Sequence, residues 1–221
     1  MTDLKGRDLI AYRTARFFKD GNLINLGIGM PIMCLDHIPE GVDVWIHSEN
    51  GVIGLAGPPA EGEYADPDVV DAGGFQSSLR VGASCFDSFD SFNYIRGGHV
   101  DISVLGAYEV DQDGNLSNWT VPGKTVAGMG GAMDLVAGAK TVIIMTEHCD
   151  KKGNSKILKR CNLPLTAAGE VDYVVTDLCV LRKTDVGLML SELAPGVTVE
   201  EVVSKTEADL VIPGNINSMI N

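Results

Sequence analysis

LINLGIGMP, residues 23–31, decides the fold because it joins a short apolar strand to a glycine turn and the start of a helix. Pro31 suits the first turn of that helix, where its missing N–H would have no intrahelical partner in any case. A second apolar run, residues 42–46, follows the helix. Strand, glycine turn, helix and strand in this order predict a βαβ unit, and therefore an α/β fold built on parallel strands.

The remaining sequence continues the alternation of strands and helices. It predicts strands at residues 69–72, 100–105 and 141–145, and hairpins at 108–120 and 178–190. It also predicts three helices: one at 86–95, one that follows the glycine turn 126–131, and one that begins at a capping box of Thr198 and Glu201. Residues 54–68 are rich in Gly, Pro and acidic side chains, so we expect a long loop there, as a mobile segment or a subunit contact. Residues 214–221 are polar and are expected to be loose. Because no repeat or linker interrupts the pattern, we expect one domain over residues 1–221.

The composition excludes several classes of partner. A net charge of −13 and a pI near 4.6 argue against nucleic-acid binding, which requires a basic face. Residues 1–19 are charged throughout, so no signal peptide is predicted, and no apolar run is long enough to span a membrane. The five cysteines are widely spaced, which is typical of reduced thiols in a cytoplasmic protein. The histidines are equally scattered, so no metal site is expected.

The turn SENG, residues 48–51, places a carboxylate directly after the second apolar run. A glutamate can act as a nucleophile or as a base without a proton-abstracting partner. In open α/β sheets, ligands bind at the carboxyl ends of parallel strands, which is where Glu49 is expected. The alternative is that Glu49 only accepts backbone hydrogen bonds in the turn.

Three further groups of residues are candidates for the same site. Asn25 is polar within a buried strand, and its amide either orients Glu49 or satisfies a neighbouring backbone group. The glycine-rich segments around residues 27–29 and 128–131 bring the backbone close to a ligand, or they allow tight packing. The candidate ligand-binding residues in these two segments are Gly27, Gly29, Gly128, Gly130, Gly131 and Ala132. Asn50 and Gly51, which follow Glu49 in its turn, are candidates for the same role.

Cations are few in this acidic chain. Arg96, Lys124 and the basic run 151–160 are possible phosphate contacts, although a solvated surface or an interface is the simpler interpretation. The chain lacks a dinucleotide fingerprint, because Pro31 interrupts the spacing that G-x-G-x-x-G requires.

Several of these motifs occur together in one known family. The set NLGIGMP (25–31), SENG (48–51), RGGHVD (96–101), LGAYEVDQDGNLSNWTVPGK (105–124), GMGGAMDLV (128–136) and ILKRCNLPLT (157–166) resembles the β subunit of family I coenzyme A transferases. These are the acetate/acetoacetate/butyrate and succinyl-CoA:3-oxoacid types, and the resemblance spans nearly the whole chain.

The resemblance implies a three-layer α/β/α fold with a mainly parallel sheet. It places the catalytic glutamate at Glu49, a site-lining residue at Asn25, and the loop that receives the thioester at Gly130 and Gly131. It also implies an α subunit as partner, in an α2β2 or larger cytoplasmic assembly that works without membrane or nucleic acid. Relatives often carry another residue at His47, which either tunes substrate choice or packs.

The implied reaction moves CoA between a short-chain acyl-CoA (acetoacetyl-, butyryl- or acetyl-CoA) and a carboxylic acid, through a covalent glutamyl-CoA thioester on Glu49. One thioester replaces another, so no ATP, metal or cofactor is expected; coenzyme A thioester is a substrate. Three alternatives remain: a succinyl-CoA:3-oxoacid CoA-transferase subunit, a non-catalytic ligand-sensing subunit on the same fold, and a sugar-phosphate isomerase of similar architecture. The isomerase would require Ser, Thr or Lys in a phosphate-binding glycine loop, and these glycine loops lack them.

Overall fold

The computed structural model describes residues 4–64, 66–123, 126 and 128–220. The α-helices of this part of the chain are α1 (Gly6–Ala15), α2 (Ser88–Arg96), α3 (Ala132–Gly138) and α4 (Val199–Lys205), with a 3₁₀ helix at Met30–His37. The strands are β1 (Leu23–Leu26), β2 (Trp45–Ser48), β3 (Val52–Leu55), β4 (Leu79–Cys85), β5 (Ile102–Gly106), β6 (Glu109–Asp111), β7 (Leu116–Ser117), β8 (Thr141–Met145), β9 (Ile157–Leu158), β10 (Tyr173–Val175), β11 (Cys179–Thr184), β12 (Gly187–Leu193), β13 (Leu210–Val211) and β14 (Asn217–Ser218).

Parallel strands form the centre of the main sheet. Strands β10, β8, β5, β1 and β2 lie side by side in that order, and each pair of neighbours is parallel. Antiparallel strands β3 and β4 extend one edge, and β11 and β12 extend the other. A small second sheet has the order β7-β6-β9. The expected mainly parallel sheet is therefore confirmed.

The sheet carries a separate hydrophobic core on each face. One core packs the buried side chains of α2, α3 and α4 against the sheet, among them Ile95, Leu135 and Val202. The other packs α1 and the 3₁₀ helix, through Ile10 and Cys34. Helices on both faces give the three-layer α/β/α arrangement that the resemblance implied. None of the helices in the described ranges combines the length and the apolar character needed to cross a bilayer.

The elements predicted from strong local signals are present. Strand β8 has the predicted bounds, both hairpins form, and Thr198 accepts a hydrogen bond from the N–H of Glu201 at 3.2 Å to begin α4. The helix after Pro31 forms as a 3₁₀ helix.

Four predictions from the sequence were wrong in whole or in part. The strand predicted at 42–46 begins at Trp45 and includes the polar His47 and Ser48. The loop predicted at 54–68 overlaps the end of β3, and the predicted strand at 69–72 contributes only an isolated bridge from Val70 to Gln76. The tail predicted to be loose contains β14, which pairs with β12, and Met219 is buried behind it.

Candidate active site

Glu49 lies in the turn between β2 and β3, at the carboxyl end of the parallel strands. Gly51 makes this turn with φ +126°, a backbone region that favours glycine. A Cβ at Gly51 would lie 2.0 Å from the carbonyl oxygen of Phe86, so a larger residue would have to displace the backbone. Glu49 is partly buried, so its carboxylate is anchored yet remains open to a ligand.

Asn25 is the closest polar partner that the structure gives to Glu49. It lies on β1 and is 1% exposed. Its Nδ2 donates to Glu49 Oε2 at 3.1 Å and to the carbonyl oxygen of His47 at 3.3 Å. Among the described residues, the bond from Asn25 is the hydrogen bond that the Glu49 carboxylate makes, and it holds Oε2.

Gly131 brings the second glycine segment against the carboxylate. A Cβ at Gly131 would lie 3.5 Å from Glu49 Cγ, an ordinary contact distance, and 3.1 Å from Phe92 Cζ, which is tight. Gly128 and Gly130 have positive φ values of +100° and +55°, and a Cβ at either would meet no atom within 4 Å. Ala132 follows as the first residue of α3. This loop therefore approaches Glu49 at Gly131.

The other predicted site residues have contacts that lead away from the carboxylate. The N–H of Gly27 donates to Val104 O on β5 at 2.8 Å, which joins the two strands. Gly29 has φ +92° and precedes the 3₁₀ helix. Asn50 is exposed, and its side chain donates to Val70 O at 2.8 Å.

The segment that follows β3 is fixed to the turn that carries Glu49. Ser48 Oγ accepts a hydrogen bond from the N–H of Ala72 at 2.9 Å, and Asn50 holds Val70 as described. Residues 70–72 thus form one wall of the site, whereas residues 58–64 are mostly exposed. A mobile segment was expected over residues 54–68, and this anchored wall lies immediately after it.

Helices α2 and α3 form the opposite wall and are joined by an ion pair. Arg96 Nε donates to Asp134 Oδ1 at 2.7 Å, and the guanidinium lies 5.4 Å from the centre of the Phe92 ring. Arg96 is thereby engaged in helix packing. The phosphate contact considered for Arg96 has no support in these contacts, and Lys124 lies outside the described residues.

The sequence analysis did not identify two buried serines and left the role of His47 open. His47 is 2% exposed, and its Nε2 lies 2.9 Å from Ser91 Oγ on α2. Burial lowers the pKa of His47 to about 4. Asn25 is paired across the sheet with His47 on β2 and with Ser103 on β5, so the three side chains lie on one face. No local signal could have found this group, because only strand register and helix packing bring its members together.

The basic run 151–160 lies largely in solvent. Lys151 and Lys152 are exposed in a turn, and Lys159 pairs with Asp209 at 3.0 Å. Lys156 Nζ donates to Thr146 Oγ1 at 3.1 Å, beside the end of β8. Within the described ranges, no group of three or more His, Cys, Asp or Glu side chains is arranged to hold a metal ion.

One cavity of about 680 Å³ lies on the opposite side of the sheet from α2 and α3. Its lining includes Arg13 and Glu192, which form a largely buried ion pair. Glu49 is not among the residues that line this cavity.

The sequence of this chain is closely similar to those of known coenzyme A transferase subunits. The profile of the family described as "Coenzyme A transferase" matches residues 7–205. The β subunit of acetate CoA-transferase from Haemophilus influenzae is 50% identical over 216 residues, which cover 98% of this chain and 96% of that protein. The corresponding chain of a probable succinyl-CoA:3-ketoacid coenzyme A transferase from Bacillus subtilis is 46% identical, and the match covers 96% of this chain and 98% of that one.

Solved structures share the fold. The acyl-CoA transferase apoenzyme from Escherichia coli O157:H7 superimposes with a TM-score of 0.78 at 24% identity, covering 99% of this chain and 44% of that one. A thioester complex of that enzyme with CoA gives a TM-score of 0.74 at 23% identity, again covering 99% and 44%. At this identity the likeness shows the fold, whereas the family profile and the close relatives show the family. This chain therefore belongs to the coenzyme A transferase family of enzymes.

Proposed function

We propose that this chain is the β subunit of a short-chain acyl-CoA:carboxylate CoA-transferase, in which Glu49 carries CoA as a covalent glutamyl thioester. The observation that carries the proposal is the Asn25–Glu49 pair. A half-buried carboxylate is held through Oε2 at 3.1 Å at the end of β2, while the backbone of Gly131 lies beside it.

The first half of the reaction uses the carboxylate as a nucleophile. A Glu49 oxygen attacks the carbonyl carbon of acyl-CoA; the new C–O bond replaces the C–S bond, and CoA leaves as a thiolate. The thiolate then attacks the Glu49 carbonyl carbon of the mixed anhydride, which releases the original acid with one oxygen that came from Glu49. CoA is left on Glu49 as a thioester.

The second half repeats these steps in reverse with a new acid. Its carboxylate attacks the Glu49 thioester, CoA thiolate leaves, and the thiolate attacks the acyl carbonyl of the new anhydride. Each attack creates an oxyanion, and we assign its stabilisation to backbone N–H groups of the loop 128–131. One thioester and one acid are consumed and one of each is formed, so the proposed chemistry requires no ATP, metal or bound cofactor.

The exposed surroundings of Glu49 support a partner that completes the site. Ile28 is 64% exposed between two glycines of the turn after β1, and Met133 is 42% exposed in the first turn of α3. Ile28 and Met133 lie on or next to the two glycine-rich segments of the candidate site, and their exposure fits a surface that another protein covers. We propose that an α subunit covers them, in an α2β2 or larger cytoplasmic assembly, with residues 1–221 as one domain. The free cysteines support a reducing compartment.

For substrates, we propose acetate, butyrate and acetoacetate, with succinate as the alternative, because the close relatives are named for acetate and for succinyl-CoA:3-ketoacid transfer. This would place the enzyme in short-chain fatty acid or ketone body metabolism. Rates with a panel of these acids at fixed acyl-CoA would rank them. A preference for succinate above all others would select the alternative.

The mechanism is tested by trapping CoA on Glu49. The chain, co-expressed with its α partner, is incubated with acyl-CoA without an acceptor acid, and its peptides are examined by mass spectrometry. We expect CoA on the Glu49 peptide in the wild type and in Glu40→Gln, a control at an exposed glutamate before β2, and none in Glu49→Gln. The mechanism fails if the wild type shows no adduct and borohydride or hydroxylamine also leaves Glu49 unmodified.

A further inference from the structure

Three polar side chains lie in a row beneath Glu49, on neighbouring strands in the middle of the sheet. His47, Asn25 and Ser103 are register partners on β2, β1 and β5 and are 2%, 1% and 0% exposed. The face that they share is the one that packs against α2 and α3, within a core that is otherwise apolar. Buried polar groups at such a place require partners, and the partners found here form a directed chain of hydrogen bonds.

The direction of this chain is fixed by which atoms can donate. Ser48 O is a backbone carbonyl oxygen and only accepts, so the Ser91 hydroxyl, whose Oγ lies 3.5 Å from it, donates there. Ser91 Oγ then accepts from His47 Nε2 at 2.9 Å, which places the single ring hydrogen on Nε2. His47 Nδ1 is left as the acceptor, and it lies 3.2 Å from the amide nitrogen of Asn25. Burial lowers the pKa of His47 to about 4, so the ring is neutral near neutral pH, as this arrangement requires.

The other side of Asn25 does not select an orientation for its amide. Among the described residues, Asn25 Oδ1 and Ser103 Oγ are buried and have no hydrogen-bond partner. A flipped amide would turn Oδ1 towards three acceptors, which are Glu49 Oε2 at 3.1 Å, His47 Nδ1 at 3.2 Å and the carbonyl oxygen of His47 at 3.3 Å. The His47 ring therefore acts together with the His47 carbonyl oxygen to favour the orientation in which the amide N–H faces Glu49.

We propose that His47 is a positioning residue for the transfer reaction: with its ring hydrogen held on Nε2 by Ser91, its Nδ1 keeps the Asn25 amide turned so that N–H faces Glu49. The inference rests on the proposed function, because it assigns a purpose to the orientation of Glu49. It gives α2 a direct connection to the nucleophile through Ser91.

The first test is independent of transfer activity. Nitrogen NMR of the co-expressed complex, labelled in histidine, reports which ring nitrogen of His47 carries the hydrogen; His47→Gln and His148→Gln identify the two buried histidines. We expect a neutral His47 with its hydrogen on Nε2 at neutral pH. A hydrogen on Nδ1, or a charged ring, would overturn the proposal whether or not the enzyme transfers CoA.

The second test measures the rate at which Glu49 acquires CoA. His47→Leu removes both ring bonds, and we expect it to slow the adduct by roughly 10- to 100-fold, with KM for acyl-CoA within about 3-fold of the wild type, because the defect lies in orientation. His47→Gln keeps one acceptor and one donor within reach and should recover most of this loss. In an Asn25→Ala background, His47→Leu should have little further effect, because His47 acts through Asn25.

The matched control is His148→Leu, which removes a histidine of equal burial elsewhere in the fold. We expect a lower thermal midpoint and an unchanged adduct rate for the folded enzyme. A wild-type rate in His47→Leu, or equal losses with and without Asn25, would overturn the proposal. An absence of adduct in the wild type would instead refute the proposed function, and the NMR result would still decide the tautomer.

Discussion

Two buried histidines near the carboxyl edge of the sheet have similar surroundings, but their hydrogen bonds connect them to different groups. His47 on β2 is 2% exposed and His148 after β8 is 1% exposed, and each ring nitrogen of both faces a polar side chain. His148 lies 3.1 Å from Thr176 Oγ1 and 2.9 Å from Thr206 Oγ1. Burial is the main cause that lowers the pKa of both rings to about 4.

The difference lies in where each chain of hydrogen bonds ends. Thr206 donates to Val202 O at 2.7 Å and Thr176 to Cys179 O at 3.1 Å, so the His148 chain closes on backbone and joins α4 to the sheet. The His47 chain passes through Asn25 to the Glu49 carboxylate. Burial and a lowered pKa are therefore common to both histidines, and only the hydrogen bonds of His47 lead to the partly exposed carboxylate that we propose as the nucleophile.

The pH dependence of stability should treat the two histidines alike. Both pKa values lie near 4 in the folded chain, below the value of about 6.5 for an exposed histidine. Between these values the unfolded chain binds more protons, so the free energy of unfolding should fall as the pH is lowered from about 6.5 to about 4, and then level off with respect to these groups. Each ring should account for roughly 3 kcal/mol.

Denaturant unfolding across this pH range measures the effect. His47→Gln and His148→Gln should each remove about half of the histidine-dependent slope. If one variant removed the whole slope, the two histidines would differ in pKa as well as in hydrogen-bond partners. The premise that burial lowers the pKa of both rings alike would then be wrong.

Removing the link next to each histidine should separate activity from stability. Asn25→Ala leaves Glu49 unanchored, and we expect transfer to fall by about 100-fold, because the carboxylate loses its fixed geometry. Thr176→Val removes the matching link to His148, leaves buried groups unpaired and should cost about 1–3 kcal/mol of stability. Steady-state rates per folded enzyme, with thermal midpoints, would show this; a large loss of rate in Thr176→Val would contradict the division.

Two glycines at opposite ends of α3 should also separate activity from stability: Gly131 in the loop before the helix, and Gly138, its last residue. A Cβ at Gly138 would lie 2.3 Å from Ile95 O, so Gly138→Ala should destabilise the fold by about 1–3 kcal/mol. At Gly131 the nearest atom is the Phe92 ring at 3.1 Å, which can yield, and Glu49 Cγ follows at 3.5 Å. Gly131→Ala should therefore slow transfer by about 10-fold, mainly through kcat. Equal losses of stability in both variants would contradict this.

The smallest effects are expected at two exposed asparagines: Asn50, next to Glu49, and Asn154, in the basic run 151–160. Asn50 Nδ2 donates to Val70 O at 2.8 Å, and Asn154 Nδ2 donates to Asp150 Oδ2 at 2.9 Å. Alanine at either position should cost less than about 1 kcal/mol, because the bonds are exposed. Only Asn50→Ala should raise hydrogen exchange at residues 70–72, the wall beside Glu49. The same increase in Asn154→Ala would mean that the wall responds to general loosening.

Local sequence signals predicted those elements whose stability is local. The run at 141–145 is apolar without interruption after Thr141, and β8 has those bounds because it is buried in the sheet centre. Thr198 caps α4 through its own hydroxyl, so sequence spacing alone identified it. Gly128, Gly130 and Gly131 precede α3 as predicted, and positive φ at the first two explains the choice of residue.

The failures occur where pairing or packing overrides local composition. Most residues of strand β4 are exposed, including Val81 at 98%, and buried and exposed residues do not alternate along it. The sequence therefore shows no two-residue hydrophobic period that would predict this strand. Strand β14 is exposed and polar, and it exists because β12 offers it an unpaired edge. The polar residues His47 and Ser91 belong to different elements, so the group beneath Glu49 could be recognised only after β2 and α2 had been placed.

The central claim, that the Glu49 carboxylate exchanges through a covalent thioester, makes a direct prediction about oxygen atoms. In the proposed reaction, the anhydride formed with the acceptor acid leaves one acceptor oxygen on Glu49 after each complete cycle. The measurement is turnover with an acceptor acid labelled with heavy oxygen, followed by mass spectrometry of the Glu49 peptide. We predict that the label appears on Glu49 in the wild type and not in an enzyme without acyl-CoA. Sustained transfer with no heavy oxygen on Glu49 would contradict the account.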